Sequence, residues 1–389
     1  RPEPAPPRLP GVTFMKDLSG TLLVRNIQVY APEPLGIQDL LVVAGKIVLL
    51  KQDIEKPRWV KRVLEGEGRL LVPGLIDLHV HLQGGGGEAG PASRLPEVPF
   101  ADLVRAGITT CVGCLGTDDV TRSLEGLLAK ARALQAQGIT AYIYTGSYQV
   151  PPVTLTGSVR RDLVLIPEVV GVGEIAISDH RSSQPTVAEL ARVAAEARVG
   201  GLLAGKRGLV HLHVGSAPSR LEPLRELLRT TSLPITQFHP THVNRTPELL
   251  EEAVAWVEAG GTVDLTAPSS TLTWDLLRAV ERLIRVDPAW ERFTLSSDGG
   301  GSMPKFDEAG NLVGYASGDV RALWNAVQAL VREGFPLEKA LRPVTINPAR
   351  ILGLPHKGTI AVGQDADFLI LDENLELIST IARGFVVFP

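Results

Sequence analysis

The chain has 389 residues, 44% hydrophobic and 21% charged, enough apolar material for one large core with a smaller companion and too ordered a composition for extensive disorder. A formal net charge of -4 and a pI near 6.1 provide no basic field for nucleic acid, and no run of about eighteen apolar residues or lysine-rich amphipathic stretch points to a membrane. The start, Arg1-Pro2-Glu3-Pro4, has no signal-peptide pattern, so the expected compartment is the cytoplasm and the expected partners are small solutes and further copies of the chain.

Residues 1–72 hold short β-rich runs such as Thr21-Leu22-Leu23-Val24 and Lys46-Ile47-Val48-Leu49-Leu50, punctuated by Pro and Gly. Residues 355–389 have the same character, as in Ala366-Asp367-Phe368-Leu369-Ile370-Leu371. Two β-rich ends around a different middle predict a small β-sandwich domain built from both termini, with a larger domain, 73–354, inserted between them.

The middle alternates apolar strand patterns at 75–81, 109–112, 140–144, 169–177, 209–213, 235–241, 262–265 and 293–297 with helical patterns at 119–136, 186–203, 219–228, 247–259 and 276–283. No Gly-x-Gly-x-x-Gly turn follows the first strand, so the alternation predicts an α/β fold of the (β/α)8 barrel type rather than a doubly wound sheet. Cys111 and Cys114 are spaced C-x-x-C within a buried strand and its exit, with no second pair and no helix start after them. A redox role is therefore not expected.

The first strand ends in His79-Val80-His81, and its period of two turns both imidazoles to one face. Such a pair is either half a metal site or two hydrogen-bonded core histidines. His211, His213 and His242, and then Asp298, also fall at predicted C-terminal strand ends, where barrels of this kind do chemistry.

This order of ligand types resembles the amidohydrolase superfamily. Within it, Gly84-Gly85-Gly86-Gly87-Glu88, Thr145-Gly146-Ser147-Tyr148, Ile177-Ser178-Asp179-His180-Arg181-Ser182, His242-Val243-Asn244-Arg245 and Ser297-Asp298-Gly299 with Ser302 resemble the bacterial isoaspartyl dipeptidases. The resemblance implies two divalent ions, with zinc the expected metal, held by His79, His81 and Asp298 on one side and His213 and His242 on the other. It selects His213 over His211 and His242 over His239, and leaves His180, His211, His239 and His356 as structural. It also implies a homo-oligomer, an octamer being the family precedent.

Where familiar members carry a carboxylated lysine, the alignment places Glu174. Its carboxyl reaches roughly 3–4 Å less far from the backbone, so the fourth strand must approach the metals or bulge at Gly173. The alternative is a salt-bridged Glu174 beside a single metal. Two metals sharing a water lower its pKa toward neutrality, and the resulting hydroxide would attack the β-aspartyl amide of an isoaspartyl dipeptide. Asp298 would then move the proton to the leaving amine, while Tyr148 would either stabilise the oxyanion or simply pack. By the same resemblance Glu88 would meet the substrate α-ammonium with Ser302 as a further contact, Arg181 and Arg245 would grip carboxylates, and backbone N–H groups near Gly86 and Thr117 would help cradle one. Either arginine alone is equally readable as a surface salt bridge. A dihydroorotase-like or hydantoinase-like cyclic amidase, or an N-acyl-amino-acid deacylase, would share the ligands without needing an ammonium site. A scaffold of the same fold would lack the ligands.

Overall fold

The computed structural model describes residues 20–268, 274–306 and 312–389, so residues 1–19 of the expected small domain lie outside it. Among the described residues of the middle, eight strands build the ring: Leu75–Val80 (β1), Ile108–Gly113 (β2), Thr140–Thr145 (β3), Val169–Ile177 (β4), Leu209–Val214 (β5), Phe238–Thr241 (β6), Val263–Thr266 (β7) and Phe293–Ser296 (β8). β1 to β6 pair in chain order, all parallel, and β7 pairs parallel to β8. The ring closes at one seam where the His81 N–H donates to the Gly299 carbonyl at 2.8 Å, and at the other where the Val243 N–H reaches the Asp264 carbonyl at 3.4 Å. Strands β1, β2, β4 and β5 are buried along their whole length, which is why they read as unbroken apolar runs rather than alternations.

Helices surround this ring with ends set by local chemistry. Thr186 and Glu189 form a reciprocal capping box at the start of Val187–Ala204. The helix expected from 119 begins instead at Leu124, because Ser123 caps it and Asp118 accepts the Val120 and Thr121 N–H groups in a turn. The sixth strand starts at Phe238, since residues Ile235–Gln237 form a 3-10 turn whose Gln237 side chain donates to the Ala194 and Gly208 carbonyls. A hairpin, Ser302–Phe306 with Leu312–Ser317, and the late helix Ala322–Arg332 are additional to the predicted elements.

The chain ends form one eight-stranded sheet in which Leu70–Pro73 pairs antiparallel with Phe368–Leu371. Its own core includes Val24, Ile27, Val42, Ile47, Phe368 and Ile381. Pro73 and Gly74 lead directly from this sheet into β1, so the strand carrying His-x-His is anchored at its N-terminal end.

Candidate active site

The ligand-type residues meet at the C-terminal mouth of the barrel. His79 and His81 project from the end of β1, Glu174 from β4, His213 from β5, His242 from the turn after β6 and Asp298 from the turn after β8. His79 Nε2 lies 3.4 Å from both Glu174 Oε2 and Asp298 Oδ1, and His81 Nε2 lies 3.2 Å from Glu174 Oε1 and from Asp298 Oδ1. His213 Nδ1 stands 3.4 Å and His242 Nε2 3.7 Å from Glu174 Oε2. Glu174 is thus the carboxylate at which all four imidazoles converge.

Its reach comes from the predicted bulge. Between Val210 and Leu212 on β5 the pairing on β4 advances from Val172 to Ile175, one residue more than its partner. Gly173 permits this, because a Cβ there would stand 2.7 Å from the His211 carbonyl oxygen.

The free ring nitrogens are aimed by bonds at the opposite nitrogens. His211 Nδ1 donates to the His239 carbonyl (3.1 Å), and burial with the His79 charge holds His211 well below its usual pKa. His211 Nε2 is therefore an acceptor, so His79 Nδ1 donates to it at 2.8 Å and His79 Nε2 is left facing the carboxylates. In the same way His213 Nε2 pairs with Asp179 Oδ2 at 2.8 Å, and His242 Nδ1 with Thr266 Oγ1 at 2.7 Å. Burial pushes His242 down to about 3, which leaves it neutral and able to donate a lone pair.

Asp298 and His242 adopt left-handed backbone, with φ of 50° and 62°, conformations that non-glycine residues rarely take and that cluster at functional sites. Asp77, a buried residue of β1, holds the Asp298 turn in place by accepting from Ser297 Oγ at 2.5 Å across the closing seam. Burial raises the Asp77 carboxyl to about 7.

The donor set fits divalent metal. His79 Nε2, both Glu174 oxygens and Asp298 Oδ1 are buried with no hydrogen-bond partner, an arrangement unfavourable for packing but suited to a cation. Three groups of candidate donors, each within 4.8 Å, overlap here: His79, His81, Cys114 and Glu174; His79, His242 and Asp298; and Glu174, His213 and His242. Although burial opposes it, Glu174 is held well below the usual carboxylate range by the surrounding imidazoles, chiefly His79, and is ionised. Cys114 belongs to this cluster although its sequence pattern gave no sign of it.

A cavity of about 720 Å³ opens onto the cluster. The residues assigned from sequence to substrate binding, and Tyr148, line it: Gly86, Glu88, Thr117, Tyr148, Arg181, Arg245 and Ser302. Tyr148 is buried, and burial with nearby Glu174 keeps its phenol well above the usual pKa, so it is a neutral donor whose Oη lies 2.9 Å from His213 Nδ1. Glu88 accepts from Thr117 Oγ1 (3.2 Å) and Ser302 Oγ (3.3 Å) and stands 3.5 Å from Arg181 Nη1.

Two expectations need adjustment. The Arg181 fork is already engaged by Asp179, through Nε at 3.0 Å and Nη2 at 2.9 Å, and lies over the Tyr148 ring at 5.4 Å. Only its Nη1, beside Glu88, lies outside that pair, while Arg245 also lines the cavity. His180, read as structural, is exposed at the cavity wall, and His356 is exposed on the surface. Arg122 was not anticipated: its buried guanidinium donates to the Gln83, Gly85, Gly86 and Leu95 carbonyls and so shapes the glycine loop that carries Glu88.

A family model described as "Amidohydrolase family" matches residues 70–387. The chain belongs to this family and, with its buried His and carboxylate cluster, is a metal-dependent amide hydrolase. Two solved structures of β-aspartyl dipeptidase from the thermophilic, keratin-degrading Fervidobacterium islandicum AW-1 are closely similar to it. One, in complex with β-Asp-Leu dipeptide, is 45% identical with a TM-score of 0.87, covering 94% of this chain and 96% of that one. The other is 42% identical with a TM-score of 0.86, covering 95% and 97%. By sequence, a dihydroorotase from Anaeromyxobacter dehalogenans is 26% identical, over 90% of this chain and 87% of its own length.

Proposed function

We propose that the protein is an isoaspartyl dipeptidase with two divalent metal ions, zinc the expected metal, and that residues 73–354 form its catalytic unit. The observation that carries this reading is the joining, in one cavity, of unpartnered buried donor atoms with the Glu88, Thr117, Ser302 and Arg181 polar cluster. His79, His81, Glu174, His213, His242 and Asp298 would hold the ions, which would supply an activated water and a Lewis acid for the scissile carbonyl.

The remaining chemistry belongs to the side chains. Asp298, held well below the usual carboxylate pKa by His79 and His81 against the effect of burial, is ready to accept the water's proton and pass it to the leaving amine. The neutral Tyr148 hydroxyl donates to the developing oxyanion. Glu88 pairs with the substrate α-ammonium, Arg245 and the free edge of Arg181 bind its carboxylates, and N–H groups around Gly86 and Thr117 complete the cradle. The structural similarity to β-aspartyl dipeptidases supports this assignment.

The test compares kcat/KM for β-Asp-Leu, N-acetyl-β-Asp-Leu and α-Asp-Leu at equal metal loading. Acetylation removes the charge that Glu88 pairs with, and the α-linkage moves the scissile carbonyl by one methylene, so both should fall at least ~10²-fold below β-Asp-Leu. Efficient turnover of the acetylated compound would favour a deacylase. The dihydroorotase similarity favours a cyclic amidase as the second reading, and faster hydrolysis of dihydroorotate than of β-Asp-Leu would establish it instead.

A further inference from the structure

The two cysteines of the C-x-x-C pair occupy different surroundings. Cys111 lies within β2 among the apolar residues of the barrel core and belongs to none of the donor groups found among the described residues. Cys114 lies just past the end of β2, against the end of β1: its N–H donates to the Val80 carbonyl at 3.0 Å and its Sγ lies 3.7 Å from the same oxygen. There the sulfur joins His79, His81 and Glu174, with one candidate donor atom from each within 4.8 Å of the others. A buried thiol alone would be ordinary packing. Here it shares its space with His79 Nε2 and both Glu174 oxygens, all buried and without a hydrogen-bond partner.

We propose that Cys114 is a metal ligand, its thiolate completing with His79, His81 and Glu174 a four-donor set for one of the two ions. This rests on the metal-dependent reading above and goes beyond it in dividing the labour between the two positions. Two imidazoles, a thiolate and a carboxylate satisfy the four-coordinate preference of zinc from protein alone, the pattern of a closed site. The second group, Glu174, His213 and His242, offers three donors that all line the cavity, the pattern of a site that keeps a position for water or substrate, whereas His79 and Cys114 of the first group do not line it. A sulfur donor further biases the closed position toward zinc and against manganese.

Cobalt(II) reports on this directly. The metal-free protein is loaded with Co2+ as wild type, C111S, C114S and C114A, and the absorption spectrum is followed together with bound metal per chain. Wild type and C111S should show a near-ultraviolet sulfur-to-cobalt charge-transfer band in addition to the visible d–d bands. Both Cys114 variants should lose the charge-transfer band and bind one equivalent of metal at least ~10-fold more weakly, with zinc-over-manganese preference reduced. Visible d–d bands at full loading of the wild type without a charge-transfer band would overturn the ligand assignment while leaving the metal-dependent reading intact. So would a band that survives in C114S or disappears in C111S. A wild type that binds no cobalt and needs no metal for hydrolysis would sink both readings. The wild-type spectrum decides even where a Cys114 variant does not fold.

Discussion

Asp298 combines three properties that are rarely found together: a left-handed backbone, near-complete burial of its Oδ1 with no hydrogen-bond partner, and two imidazole nitrogens within 3.4 Å. A carboxylate so held is costly to the fold and is explained by charge it is meant to meet. Replacing it with asparagine keeps the volume but removes the ability to accept and return a proton, so Asp298→Asn should fold while kcat falls at least ~10²-fold; near wild-type kcat in a metal-replete variant would sink the role. Tyr148 makes a separable contribution. Its hydroxyl is held neutral and directed at His213 Nδ1, the nitrogen that faces Glu174, so Tyr148→Phe leaves the ring packing and deletes one donor. A loss of ~10²–10³-fold in kcat with little change in KM is expected, and a change confined to KM would mean that the phenol binds substrate rather than the transition state.

The element that makes the site possible is β4, because its bulge brings a short carboxylate to where a longer side chain would otherwise be needed. Since Glu174 carries its own carboxyl, metal loading in bicarbonate-free buffer should give full activity, and a strong rise on adding bicarbonate would show that some lysine is being carboxylated instead. This much was legible beforehand: the apolar runs gave the barrel strands, the period of two gave the shared face of His79 and His81, and Gly173 beside Glu174 suggested the bulge. Other features were illegible for physical reasons. Cys114 follows the end of a strand, where alternation no longer dictates which way a side chain points. Asp179 stands two residues before Arg181 but 34 before His213, and that it locks both depends on the path of the β4 exit. Asp77 reads as one polar residue in an apolar run, and its purpose appears only when β8 closes the ring beside it.

At the scale of the whole molecule, the sheet formed by the chain ends must hold the barrel still enough for distances of a few ångströms at its mouth to matter. Polar links join the two: Thr380 Oγ1 donates to the Val104 carbonyl, the Arg383 guanidinium donates to the Gln135 and Gly138 carbonyls, and the Trp324 indole donates to the Leu375 carbonyl. A charged link is made by Lys357, whose buried ammonium meets Thr140 Oγ1 at the start of β3 (2.7 Å), Asp365 (2.8 Å) and Asp367 (2.5 Å). Burial works against its charge, but Asp367 and Asp365 outweigh it and hold Lys357 above its ordinary pKa. A lysine whose pKa is raised by folding contributes stability that is fully present below its unfolded value, about 10.4, and is lost as pH rises through the higher folded value. The protein should therefore weaken on the alkaline side of pH 10, and this part of the loss should vanish in Lys357→Met. That variant leaves Asp367 buried without its cation, so at neutral pH it should unfold with roughly 3–5 kcal/mol less stability in urea, and adding Asp367→Asn should restore part of it. A Lys357→Met protein with the wild-type urea midpoint and an unchanged alkaline limb would show that the hydrophobic contacts between sheet and barrel hold them together without this ion cluster.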